Sequence, residues 1–229
     1  MPAPFPKHYL ITPEPATYGG TASATPRPAA YSADLSSQEF LQDLGTSLSA
    51  GIKLVQLRSK LLTPLAFGAL AKQAAILCHQ AGARLIVNGA LHAWQREPEQ
   101  EHEHDATLQS EIGALDADGL HLSSAQLMHC SQRPLRHGQW VSAACHTLVE
   151  LQQAVALQLD FVTLSPVLHT VTHPDAEPLG WERFAALSGA VNLPIFALGG
   201  MQASDVTMAQ AHGAHGIAAI RSLWLRRSS

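Results

Sequence analysis

The chain has 229 residues, 46% of them hydrophobic and 14% charged, with a net charge of −4 at neutral pH. That length suits one large domain or two small ones, and the apolar share is enough for a sizeable core. Without a basic block nucleic acid has little support as a partner, and no apolar run reaches the roughly 18 residues that would span a membrane.

The opening, Met1-Pro2-Ala3-Pro4-Phe5-Pro6-Lys7, is too rich in proline and lacks the apolar stretch of a signal peptide. Cys78, Cys130 and Cys145 are odd in number and lack metal-ligand spacing, so they read as reduced thiols packed as small hydrophobes, as in a cytoplasmic protein.

Tyr9-Leu10-Ile11-Thr12 reads as a short first strand, and residues 13–33, rich in Pro, Thr, Ala and Gly, as a long mobile loop. The capping pattern Ser36-Ser37-Gln38-Glu39 predicts the start of a helix that carries Phe40, Leu41, Leu44 and Leu48 at helical spacing and stops at Gly51. Strand two spans Lys53 to Arg58. Its alternation puts Leu54, Gln56 and Arg58 on one face, so two polar side chains point toward the inside of a sheet or barrel.

Thr63-Pro64 opens a second helix running to Gly82, and Arg84 to Asn88 form strand three. Residues 96–109 include Glu97-Pro98-Glu99-Gln100-Glu101-His102-Glu103-His104-Asp105 and show no apolar periodicity, which reads as a solvated, mobile insertion. Alternating Glu and His there is read as plain surface, with no metal site assigned. Gly119 to Leu122 make strand four, Ala125 to Cys130 a short helix, and Trp140 to Cys145 strand five, ending at His146.

Thr147 to Gln158 is an amphipathic helix marked by Leu148, Leu151, Val155 and Leu159. Phe161 to Leu164 is strand six, and the Pro/Thr/His loop from Ser165 to His173 follows it. A helix over Glu182–Ala190 leads to strand seven, Pro194 to Leu198, which ends at Gly199-Gly200. Ser204–His212 is the last helix, and Gly216 to Ile220 is strand eight.

Eight short apolar strands alternating with helices imply a parallel sheet buried on both faces. The count matches a single-domain (β/α)8 TIM barrel over residues 8–224 of the chain 1–229. A doubly wound open sheet is the alternative, but no glycine fingerprint follows the first strand. Hydroxyls and glycines just past the strand ends suggest an anion site at the carboxyl edge, and Gln56, His146, Thr170 and Gly200 are expected to cluster there.

Five motifs in order resemble the thiamin-phosphate synthase / thiazole tautomerase (TenI-like) superfamily. They are Tyr9-Leu10-Ile11-Thr12, Val55-Gln56-Leu57-Arg58-Ser59-Lys60, Asp118-Gly119-Leu120-His121-Leu122, Pro166 to Thr172, and Ala197-Leu198-Gly199-Gly200-Met201. The chain also resembles the barrel domain fused behind a Nudix hydrolase in some proteobacterial proteins, although it carries no Nudix signature. The synthase joins a pyrimidine pyrophosphate to a thiazole phosphate and releases pyrophosphate. The resemblance implies that Gln56, Arg58, Lys60 and Asn88 hold the pyrophosphate, as a guanidinium fork and an ammonium suit a multiply charged leaving group. It implies that Thr170 and Thr172, with backbone amides near Gly199, Gly200, Ile220 and Arg221, hold the thiazole phosphate.

Departures from the family pattern fall mainly on one side. The synthases' two Mg²⁺-binding Asp positions correspond to Gly89 and Gln126, their Ser at the end of strand five to Ala144, and the Lys after Thr-x-Thr to His173. The Gly before Pro166 is Ser165, and a Ser beside the phosphate is Arg221. Mg²⁺ is a hard cation that favours carboxylate oxygen, so its anchors are missing. The tautomerase branch needs neither metal nor pyrophosphate and uses a His at the end of strand five as general acid/base. His146 matches that place, and an imidazole titrates near the working pH.

The resemblance therefore implies an enzyme that binds a phosphorylated thiazole, tautomerase-like in its main reading. The alternatives are a synthase with an altered pyrophosphate site and a non-catalytic phosphate-binding barrel. No tightly bound cofactor is expected, with Mg²⁺ entering only in the synthase alternative. No nucleic acid or membrane partner is expected, and a homo-oligomer stays open.

Overall fold

The computed structural model describes residues 5–18, 35–89, 91, 101–170 and 176–227, without the side chains of 35–36 and 101–106. Its strands are β1 (His8–Ile11), β2 (Leu54–Arg58), β3 (Arg84–Asn88), β4 (Gly119–Leu122), β5 (Trp140–Cys145), β6 (Phe161–Leu164), β7 (Ile195–Leu198) and β8 (Gly216–Ala219). Each pairs in parallel with the next, and β8 pairs with β1, so the sheet closes into a barrel. The open-sheet alternative is thereby excluded.

Period-two alternation sorts each strand. Tyr9, Ile11, Leu54, Ile86, Phe161, Phe196 and Ala218 point inward and fill the lower lumen with hydrocarbon and aromatic rings. Phe161 meets Tyr9 and Phe196 edge-on, at centroid distances of 5.3 and 5.5 Å. The alternate residues, such as Val55, Leu57, Val87, Val162 and Leu164, join the outer core against the helices. With the bottom plugged, the polar positions further along each strand face the carboxyl end.

Seven α-helices cover the barrel among the described residues: α1 (Leu35–Ser49), α2 (Pro64–Gln80), α3 (Glu101–Ala114), α4 (Ser124–His129), α5 (Leu148–Ala156), α6 (Gly180–Ser188) and α7 (Val206–Ala211). Phe40, Leu44 and Leu48 form the buried stripe of α1. That helix is already formed at Leu35, so the Ser36–Glu39 pattern lies inside it rather than at its start. Thr63 caps α2, and Thr147 with Glu150 forms a capping box on α5. A 3-10 turn, Ala203–Asp205, precedes α7 and shortens that helix relative to expectation.

One expectation is overturned. Residues 101–109 are not an insertion but the first part of α3, the third barrel helix. Leu108 and Ile112 are buried, and Leu115 follows just past the end of the helix. This apolar stripe lies mostly C-terminal to the Glu/His run, so the charged half, taken alone, shows no period. The side chains of His102 and His104 lie outside the described residues, as do residues 96–100.

The expected loop at 13–33 also holds structure where it is described. Pro15–Thr17 is a 3-10 turn, and Tyr18 after it is tied to the end of the chain, its hydroxyl accepting from Trp224 Nε1 at 2.7 Å. Residues 19–33 lie outside the described part. No helix among the described residues is long and apolar enough to cross a membrane. Cys78 and Cys145 are buried and Cys130 half-buried; burial, with Asp118 nearby, pushes the Cys78 thiol up to about 12.

Candidate active site

The strand ends open onto a cleft of about 1430 Å³. Gln56, Arg58, Lys60, Asn88 and His146 line it from β2, β3 and β5. Thr170, Gly199, Gly200, Ile220 and Arg221 line it from the loops after β6, β7 and β8. The structure thus gathers every described residue of the expected site. Thr172 and His173 lie outside the described residues.

A chain of neutral hydrogen bonds crosses the upper lumen and forms the floor. Asn88 Nδ2 donates to Gln56 Oε1 at 3.5 Å, and Gln56 Nε2 donates to the Tyr9 hydroxyl at 2.8 Å. That hydroxyl lies 3.5 Å from His121 Nδ1, which in turn is 2.8 Å from Ser142 Oγ. Gln56 is therefore both a cleft residue and a member of an internal hydrogen-bonded layer. Burial, reinforced by the Arg58 charge, pulls the His121 pKa down to about 3 and keeps the ring neutral. Burial raises the Tyr9 hydroxyl above its ordinary range, although bonds from Gln56 and Ser142 oppose the shift.

Arg58 and Lys60 stand on one wall. The Arg58 amide donates to Thr12 Oγ1 at 3.0 Å, so β1 fixes the start of the following loop. Ser59 Oγ donates to one Glu14 carboxylate oxygen at 2.6 Å, and the Lys60 amide donates to the other at 2.7 Å. The loop that carries both cations is thus held by charge-assisted bonds from the β1 loop. Arg58 is half-buried and Lys60 is exposed.

The opposite wall is backbone. Gly199 and Gly200 have φ of +100° and +74°, in the region L side chains avoid. A Cβ on Gly199 would lie 2.8 Å from Pro166 Cα, and one on Gly200 would lie 2.9 Å from the His169 carbonyl oxygen. The closeness comes from two bonds that zip the loops together, Val167 N to Leu198 O at 2.8 Å and Leu168 N to Gly199 O at 3.1 Å. Arg221 lies at the rim of this cradle with its side chain exposed.

His146 sits between the walls. Its Nδ1 is 2.8 Å from the Ser165 carbonyl oxygen, which can only accept, so Nδ1 carries a proton and a neutral ring leaves Nε2 as an acceptor. Its amide donates to Glu150, as do Thr147 and Ser124. Partial burial raises the Glu150 pKa, but these bonds outweigh it and hold the carboxyl below its ordinary range.

A family model described as thiamine monophosphate synthase matches residues 30–223. The chain belongs to the thiamine monophosphate synthase family. A thiamine-phosphate synthase of Prochlorococcus marinus (strain MIT 9313) is 32% identical over 191 residues, covering 83% of this chain but 49% of that protein. The chain thus spans about half the length of this relative. A thiamine-phosphate synthase of Lysinibacillus sphaericus (strain C3-41) is 30% identical over 195 residues, covering 83% of each. Among solved structures, thiamine phosphate pyrophosphorylase from Pyrococcus furiosus shares the fold, with a TM-score of 0.62 and 19% identity over 93% of this chain and 85% of that one.

Family membership raises the question of Mg²⁺, and the donor set here does not fit it. The described residues lining the cleft include no carboxylate; their charged side chains are Arg58, Lys60 and Arg221. At Gly89, a Cβ would lie 2.3 Å from Cε2 and 2.5 Å from Cζ of Phe67, a fully buried α2 ring that fills the space an Asp side chain would need. Gln126 closes the capping box of α4, its Oε1 accepting from the Ser123 amide and hydroxyl at 2.8 and 2.9 Å.

Several residues that shape the site escape sequence reading. Glu14 lies in a proline-rich stretch that reads as a loop; beside its local cap on Ala16 N, nothing nearby marks its partners Ser59 and Lys60, more than forty positions away. His121, Ser142 and Thr163 do carry a signal, because alternation on β4, β5 and β6 puts them on the inward face. Phe67 reads as ordinary helix core until its ring is seen packed against Gly89.

Proposed function

We propose that the barrel is a transferase of the thiamin-phosphate synthase type, taking a pyrimidine pyrophosphate and a thiazole phosphate. The observation that carries this reading is the presence of two different anion-facing walls in one cleft: Arg58 and Lys60 on one, the Gly199–Gly200 backbone on the other. An isomerase acting on a single thiazole phosphate needs only the second wall. The family relatives named thiamine-phosphate synthase support the same choice.

In this reading the bond between the pyrimidine methylene carbon and the pyrophosphate oxygen breaks, and its electron pair leaves with pyrophosphate. The thiazole ring nitrogen forms the new bond to that carbon. Arg58 and Lys60 stabilise the departing charge, and the tie from Glu14 to the Lys60 amide keeps them in place. Because Gly89, Phe67 and Gln126 offer no carboxylate pair, no step is assigned to a protein-held Mg²⁺. The test is incubation with both ligands and assay of the products. Equal amounts of thiamin phosphate and pyrophosphate are expected; their absence with and without added Mg²⁺ would contradict the reading.

A thiazole tautomerase is the second reading, favoured by His146. With Nδ1 fixed as the donor to Ser165, Nε2 is oriented to take and return a proton. Its test is direct: isomerisation of a thiazole carboxylate phosphate that is lost in His146→Asn, with no pyrophosphate released in any mixture.

A further inference from the structure

Thr163 lies on β6, inward like Phe161 two residues before it and one layer nearer the mouth. It is fully buried, lines the cleft, and its Oγ1 has no hydrogen-bond partner among the described residues. Buried hydroxyls are normally paired, because removing one from water without a partner is costly. Ser142 on the neighbouring strand shows the usual outcome: it is equally buried, yet its Oγ reaches His121 Nδ1 at 2.8 Å and Leu120 O at 3.5 Å. Thr163 is denied such partners by its neighbours in register, Ala144 on β5 and Phe196 on β7, which present only carbon.

The surroundings say what kind of group the hydroxyl meets. Around the floor, Gln56, Asn88 and His121 are uncharged, the imidazole because burial and Arg58 keep it so. The cations Arg58, Lys60 and Arg221 stand above, at the rim. A ligand with phosphate at the rim therefore lowers its uncharged portion toward the floor. Thr163 is level with Phe196, and strand rise is about 3.3 Å per residue, so the two steps from Phe196 to the end of β7 at Leu198 correspond to roughly 7 Å below the Gly199–Gly200 turn, about the depth of one aromatic ring.

We propose that Thr163 Oγ1 is a specificity-determining contact for the uncharged, nitrogen-bearing aromatic ring of a phosphorylated ligand. The hydroxyl pairs with a ring nitrogen or a substituent on the ring edge, and Ala144 leaves the space for it. This rests on the function proposed above. Pyrimidine and thiazole share the required chemistry, and the test separates them.

Thr163→Val removes the hydroxyl and keeps the shape, whereas Thr163→Ser keeps the hydroxyl. Calorimetry with pyrimidine pyrophosphate, thiazole phosphate and inorganic pyrophosphate, each alone, reads the effect. In Thr163→Val, affinity for one ring-bearing ligand should fall about tenfold, the loss of one buried hydrogen bond. Inorganic pyrophosphate should bind as in the wild type, and Thr163→Ser should stay within about twofold for every ligand. Thermal unfolding should show no loss of stability in Thr163→Val, since the variant removes an unpaired polar group. Equal or tighter binding of both ring-bearing ligands by Thr163→Val would overturn the inference while leaving the function standing. Wild-type protein that binds neither ring-bearing ligand would overturn the function itself, and this inference with it.

Discussion

In the proposed function the groups that meet an anion on the β2 side of the cleft are side chains, Arg58 and Lys60, on a loop held in place by Thr12 and Glu14. On the β7 side they are backbone, Gly199 and Gly200, zipped to Val167 and Leu168. The difference bears on how each wall changes. A side-chain wall can be altered one residue at a time without touching the barrel, and this is where Gly89 and Gln126 depart from the family pattern. A backbone wall in which a Cβ on Gly199 would meet Pro166 Cα at 2.8 Å has no such freedom, and its glycines match the family motif.

The contrast is tested most severely by Gly199→Ala. The positive φ and the contact with Pro166 Cα act together, and the loss of stability should reach about 2–5 kcal/mol, read as a lower urea midpoint. An unchanged midpoint would mean that the two loops are free to part.

Acid probes the floor beneath the β2 wall. Folding lowers the His121 pKa from 6.5 to about 3, so below pH 6.5 the unfolded chain binds a proton that the folded one does not. Stability should therefore be full above pH 6.5 and fall as pH drops toward 3, by up to about 1.4 kcal/mol per pH unit from this residue. Glu150 acts in the same direction at lower pH, since its depressed pKa contributes stability that is lost as its carboxylate protonates. His121→Gln should flatten the stability profile between pH 6.5 and 4.5; the same slope in both proteins would assign the acid sensitivity elsewhere.

Arg58→Met should separate the two walls. Loss of a half-buried charge-assisted contact costs about 1.5–3 kcal/mol, roughly ten- to a hundredfold in pyrophosphate affinity. Thiazole phosphate should bind within about twofold of the wild type by calorimetry. Equal losses for both ligands would merge the walls into one site.

The smallest effect belongs to Arg221→Ser. The side chain is exposed, so a phosphate contact made through it is screened by solvent and is worth about 0.2–1 kcal/mol, less than twofold to about fivefold in thiazole-phosphate affinity. A larger loss would show that the guanidinium folds inward over the glycine cradle when ligand is bound.

Much of this architecture is legible in the sequence because it rests on local periodicity. Alternation in Leu54-Val55-Gln56-Leu57-Arg58 already places Gln56 and Arg58 inward, and strand order alone brings Gln56, His146, Thr170 and Gly200 to one end. What escapes reading depends on contacts between distant parts of the chain. The helical nature of Glu101–Ala114 is hidden because its buried side chains, Leu108 and Ile112, follow a charged first half. Glu14 gains meaning only when the barrel brings Ser59 and Lys60 to it. The missing Asp at position 89 is visible in sequence, but the ring of Phe67 in its place is not.

The central claim is that one cleft holds two anions on separate walls, without a carboxylate-held metal. The most direct measurement is calorimetric titration of inorganic pyrophosphate, which has no carbon to transfer, in the presence of EDTA into protein already saturated with thiazole phosphate. One further equivalent of ligand should bind, with an affinity lowered by Arg58→Met and unaffected by Arg221→Ser. Displacement of the thiazole phosphate, or binding that appears only when Mg²⁺ is restored, would contradict the account.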